Sequence, residues 1–176
     1  MNAPLMALLR LVHILAAIFW LGATLTLAAF VLPAMRDAGP GPATAVLWRD
    51  VMRRHRLQLW INLSMALAVL AGFALYGIDS ASSSGAFGKS TMGKVLGLGA
   101  LLAIIAAGVM GAMSQPAARK LSALADRVSE SRSGGPGTAE LLAEATALQN
   151  RIGRGLTITS ILLLLSATTM AIARYL

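Results

Sequence analysis

The sequence has no cysteine and only two histidines. Without cysteine there is no disulfide, no thiolate metal site, no iron–sulfur cluster and no covalently attached c-type haem. Charge is also scarce. Asp, Glu, Lys and Arg make up 12% of the chain, against about 25% in a soluble domain. The acidic residues all fall outside the long apolar stretches, which argues against a carboxylate-based, proton-driven transporter.

What is present is hydrophobic length. Of 176 residues, 57% are hydrophobic, and mean hydropathy is +0.72. Four apolar runs, at about 5–33, 57–78, 92–114 and 154–175, each reach the roughly 20 residues needed to cross a bilayer. The first is longer than the apolar core of a signal peptide and has no small-x-small cleavage site near its end, so it reads as a retained helix. The fold class expected is all-α: an integral membrane four-helix bundle forming one domain over residues 1–176.

Fifteen basic residues against seven acidic ones give a formal charge of +8. Arg36, Arg49, Arg53, Arg54 and Arg56 follow the first span, and Arg119, Lys120, Arg127, Arg132, Arg151 and Arg154 lie around the third loop. The second loop carries only Lys89 and Lys94. This is the positive-inside pattern. It predicts a multi-pass protein of the bacterial inner (plasma) membrane with both termini and the second loop outside. The basic charge then reports topology and meets lipid headgroups rather than nucleic acid.

Between spans, the first helix is expected to end near Leu32-Pro33. The turn Gly39-Pro40-Gly41-Pro42 follows, then a short interfacial helix over 43–56. Trp48 and Trp60 suit the interface, although Trp60 could also face the bundle. Residues 78–90, rich in Ser and Gly, read as a flexible outer loop. Leu121, Leu124, Ala125 and Val128 share one helical face. After the break at Gly134-Gly135-Pro136-Gly137 and a cap at Thr138, Leu141, Ala145, Leu148 and Ile152 share another. These stretches predict a cytoplasmic helical hairpin over about 115–153 that extends spans three and four. It would stabilise the bundle, a homo-oligomer or a larger membrane complex. Gly93 and Gly97, with the row Ala100, Ala103, Ala107 and Gly111, predict close helix approach.

One ionisable group stands out. His13 lies deep in the first apolar run, roughly 12 Å from the outer end of the helix, and an ionisable residue in hydrocarbon is a functional-site hypothesis by default. The expected topology brings Arg10, Lys94, Met6, Met92, Met170 and Arg174 to the same leaflet. His55, in Arg53-Arg54-His55-Arg56, belongs to the opposite end. A neutral imidazole can ligate haem iron between facing helices, with Arg10 or Arg174 pairing with propionates and Lys94 as second ligand or substrate-orienting cation. Alternatively, His13 with the thioethers of Met6, Met92 and Met170 offers soft ligands for copper as Cu(I). The plainer reading of His13 is a hydrogen bond to another helix, at Thr168 or Ser166. That of Lys94 and Arg174 is snorkelling to headgroups. Asn62 reads as an interhelical hydrogen-bonding residue, and Met110 and Met113 as packing residues.

The segment His13-Ile-Leu-Ala-Ala-Ile-Phe-Trp20-Leu21-Gly22 resembles the H-x6-W-x-G first helix of CopD-like (copper resistance D) membrane proteins and, in closely similar form, of HemJ-type protoporphyrinogen oxidases. The resemblance continues in Leu32-Pro33-Ala34-Met35, in Arg53-Arg54-His55-Arg56 with Ala71-Gly72-Phe73, and in Met92-Gly93-Lys94-Val95-Leu96. It implies four membrane helices and, from the HemJ-type enzymes, a b-type haem with functional residues at the places of His13 and Lys94. Arg10 matches a basic residue often found just before that histidine.

The leading expectation is therefore an inner-membrane protein binding haem b through His13, with Trp20 and Arg174 also in the cofactor site and a redox role. As an enzyme it would remove electrons from a tetrapyrrole and pass them through haem to quinone, with Lys94 and Arg10 holding substrate carboxylates. The alternatives are copper handling and a cofactor-free accessory subunit of a larger membrane complex.

Overall fold

A computed structural model describes residues 3–39, 42–130 and 138–176, without the side chains of residues 42, 125, 126, 128–130 and 138. Part of the turn expected at Gly39-Pro40-Gly41-Pro42, the break at Gly134-Gly135-Pro136-Gly137, and the side chains of Ala125, Val128 and Thr138 lie outside the described residues. Among the described residues all regular structure is helical: α1 (Ala3–Thr26), α2 (Leu32–Asp37), α3 (Pro42–Arg49), α4 (Leu57–Ser82), α5 (Ala86–Lys89), α6 (Thr91–Val109), α7 (Gln115–Glu130) and α8 (Thr138–Ala173). π turns at Leu27–Val31, Asp50–Arg54 and Met110–Ser114 interrupt or extend these helices.

Four helical stretches are long and apolar enough to cross a membrane: Ala3–Asp37, Leu57–Ser82, Thr91–Leu124 and Ala139–Ala173. The rest of the chain buries only 17–33% of the most apolar window of each. Phe30 and Leu70 remain 69% and 66% exposed. Helices apolar on every face and this bare require lipid around them, because water would oppose the exposure. The chain is an all-α four-helix bundle of membrane type.

The pairs α1–α4 and α6–α8 form the two main contacts, and α1–α8 and α4–α6 close the ring. His13 and both chain ends mark one end of the bundle. At the other end α7 folds back along the first half of α8, and α3 packs on α7. Ala117, Ala118, Leu121 and Leu124 of α7 are buried, as are Ala145 and Ile152 of α8, while Arg119 and Lys120 point outward. This is the expected hairpin, built on its apolar stripes. It is continuous with the spans, since α8 runs unbroken from Thr138 to Ala173.

Several boundaries differ from expectation. The first helix does not stop at Pro33. The π turn donates Leu32 N–H to Leu27 O, and Pro33 enters the first turn of α2, where a missing N–H costs nothing. Residues 78–90 are not an open loop. α4 continues to Ser82, and α5 is pinned by the Tyr76–Phe87 edge contact, with ring centroids 5.5 Å apart. Trp48 is not at an interface. It is 2% exposed against the α7 layer, whereas Trp60 is 54% exposed.

Small residues do bring helices together, but not as one row. A Cβ on Gly93 would strike the Phe87 carbonyl of α5, and one on Gly99 would lie 2.7 Å from Thr169 Oγ1 of α8. Ser166 Oγ donates to Gly99 O across that approach at 2.7 Å. Gly111 has nothing near it. The Asn62 expectation holds in detail: its Oδ1 accepts from Gln115 Nε2 at 2.9 Å, tying α4 to α7.

Candidate functional site: the His13 imidazole and its two cavities

His13 faces α4. Its Nδ1 lies 2.7 Å from the carbonyl oxygen of Ala68. A carbonyl only accepts, so Nδ1 carries the proton and, in the neutral ring, Nε2 keeps its lone pair. Among the described residues nothing bonds Nε2. The ring fits because residue 72 is glycine: a Cβ there would stand 2.9 Å from His13 Cε1 and 3.2 Å from Nδ1. Ala68, Gly72 and Tyr76 follow at four-residue spacing, so one face of α4 supplies the acceptor, the gap and a wall.

Two cavities meet at this ring. One, of about 320 Å³, is lined by Gly72, Tyr76, Ala100 and Ala103 among others. The second, of about 640 Å³, is lined by Trp20, Leu163, Ser166, Arg174 and Tyr175 among others. His13, Ala103 and Met170 belong to both. Each volume falls within the range of about 300–1,000 Å³ usual for small-molecule and cofactor sites. Among the described residues neither lining includes an Asp or Glu side chain.

Behind this wall lies an unpaired polar atom, as also at Trp48 among the described residues. Trp20 is 1% exposed, lines the larger cavity, and its Nε1–H has no hydrogen-bond partner. Buried indole donors normally find acceptors. Arg174 stands at the same cavity. It is exposed, its guanidinium carbon lies 4.7 Å over the Tyr175 ring, and Nη2 donates to the Tyr175 hydroxyl.

The expected residues thus divide. His13, Trp20, Met170 and Arg174 come together. Met6 shares the face of His13 on α1 but sits roughly 10 Å nearer the helix start, and it lines neither cavity. Met92 and Lys94, in the first turn of α6, are exposed and line neither cavity, as is Arg10. His55 lies at the far end, exposed beside Asp50–Arg54. Ser166 and Thr168 bond to Gly99 and Leu164 carbonyls instead of His13. The sequence reading overlooked Ala68, Gly72, Tyr76 and Ala103. The Ala68–Gly72–Tyr76 spacing was the available signal; a backbone carbonyl as partner has none.

No group of three or more His, Cys, Asp or Glu able to hold a metal ion occurs among the described residues. The site brings one imidazole and one thioether together, His13 and Met170. Compared with family models, curated proteins and solved structures, the chain matches none.

Proposed function

We propose that the chain is a membrane redox protein that holds b-type haem through His13 Nε2. The observation that carries this reading is the His13 hydrogen bond. Nδ1–H to a backbone carbonyl fixes the ring and leaves Nε2 unbonded on a residue that lines both cavities, the usual support of a ligating histidine. A haem brings its own equatorial nitrogens and asks the protein for only one or two axial ligands. A site with one imidazole and one thioether is therefore compatible with haem.

The residues present fit the group. Gly72 leaves the place a Cβ would fill, which lets the imidazole seat against α4. Met170 offers a thioether in both cavities, and Arg174 is a cation placed for propionate carboxylates. When bound, haem supplies one-electron transfer. The chain's own part is to orient the ring, exclude water with apolar walls and hold the carboxylate end with Arg174. Arg10 and Lys94, expected to grip substrate, are exposed outside both cavities, so the reading stops short of a substrate site. The distribution of Arg and Lys supports a bacterial inner membrane, with the hairpin in the cytoplasm and both termini outside.

The test is an optical spectrum of protein purified from haem-replete cells, oxidised and then dithionite-reduced. A Soret band that shifts on reduction is expected. It should be absent in His13→Ala and weakened in Gly72→Leu, which pushes the ring from Ala68. A colourless wild-type protein sinks the reading. Copper bound stoichiometrically in that same sample, and lost in His13→Ala, would turn the assignment to copper handling.

A further inference from the structure

A groove at the hairpin end of the bundle, far from His13, carries a different chemistry. It lies between the end of the first span and α8, encloses about 570 Å³, and is lined by Arg36, Arg154, Asn150, Leu32, Ala28 and Ile158 among others. Arg36 reaches across to α8, where Nη2 donates to Gln149 O at 3.5 Å. It can lie there because residue 153 is glycine: a Cβ on Gly153 would fall on the Arg36 guanidinium. Neither Arg36 nor Arg154 forms an ion pair among the described residues, where Asp50 pairs with Arg49 and Arg54. Asp37, next to Arg36, is outside the lining. Two guanidiniums therefore face one groove with most of their donors unused.

The groove is also graded along the membrane normal. Asn150, Arg36 and Arg154 form its outer end. Leu32, Ala28 and Ile158 lie about one to two turns deeper into the spans on α2, the π turn and α8. A ligand that satisfies the whole groove has an anionic head and an apolar body. We propose that this groove binds an anionic phospholipid, with Arg36 and Arg154 on the phosphate and the accessible Ala28 and Ile158 along an acyl chain. Guanidinium matches phosphate in geometry as well as charge. The lipid supplies both the charge and the tail, which free phosphate does not.

The experiment is thermal unfolding of the full chain, delipidated in neutral detergent, with added phosphatidylglycerol, phosphatidylcholine or inorganic phosphate. Phosphatidylglycerol at about a hundredfold over its Kd should raise Tm by about 5 °C, with little shift from phosphatidylcholine or phosphate. The R36Q/R154Q variant should lose most of that rise. R119Q/K120Q, which removes the same charge from the exposed face of α7, should keep it. Should R36Q/R154Q fail to fold, Arg154→Gln alone, whose side chain holds no bond to the chain among the described residues, should at least halve the rise. An equal rise with inorganic phosphate overturns the lipid assignment. A rise unchanged in the groove variants, or lost equally in R119Q/K120Q, overturns the site.

Discussion

The two ends of the bundle are packed differently. Around the hairpin, the buried side chains are large: Trp48, Met52, Leu32, Met35, Ile61, Met110, Leu121, Leu124, Ile152 and Leu156. Between Trp48, Met52, Ile61, Met110, Ile152 and Leu156 the space left is about 20 Å³, hardly more than one water, and the Arg36 groove lies on the flank of this packing. Around His13 the buried residues are mostly small, among them Ala16, Ala68, Ala71, Gly99 and Ala173, with Trp20 and Leu163 as larger ones, and two cavities open among them. A chain that can fill one end with Trp, Met and Leu leaves the other hollow where its one membrane-buried imidazole stands. Dense packing and the imidazole site have been assigned to opposite ends.

The comparison is broken most directly at Trp48. Truncation to alanine should cost about 3–5 kcal/mol, measured as loss of unfolding free energy in detergent; a cost below about 1 kcal/mol would show that this end is not the stabilising one. Ala103→Leu sharpens the contrast. Its added atoms enter the space shared by both cavities, so the penalty should stay under the roughly 1–3 kcal/mol of overpacking a filled core. Occupancy by haem, read from the Soret absorbance per protein, should fall at least tenfold; unaltered occupancy would separate the cavities from binding. The smallest effect is expected at Gln115→Leu, which removes the α7 bond to Asn62. Interhelical bonds of this kind average about 0.6 kcal/mol in membranes, and a loss well above about 2 kcal/mol would mean that Gln115 supports more than this bond.

Much of this architecture was legible in the sequence, and the reasons differ by element. The four spans follow from apolar length, and the hairpin from stripes such as Leu141, Ala145, Leu148 and Ile152, because both rest on periodicity alone. Pro33 misled because a π turn accommodates it inside a continuing helix. Trp48 misled because an indole suits an interface and a core equally, and only the fold of α3 onto α7 decides between them. His13 was conspicuous as an ionisable group in hydrocarbon. Its partner was not, since every residue owns a carbonyl and nothing in the letters marks Ala68. Depth along the membrane was also readable, and it grouped Arg10, Lys94, Met6 and Met92 with His13. Depth does not give azimuth, and Met6, on the face of His13, lies about two turns nearer the helix start; of this group Met170 lines both cavities and Arg174 the larger one.

The π turns at Leu27–Val31 and Met110–Ser114 carry a consequence of another kind. Each spends one more residue on a turn than an α-helix does, the equivalent of about 100° of rotation. A helical wheel drawn through the first span, or from α6 into α7, is therefore out of phase with itself halfway along. The small-residue face that surrounds His13 and the bulky face that closes the hairpin end are set at angles that no single repeat could give. In such a chain, length is as much a part of the code as residue type. One residue lost or gained at Met110–Ser114 would rephase the whole of α7 against α8, while many single substitutions there would leave it in step.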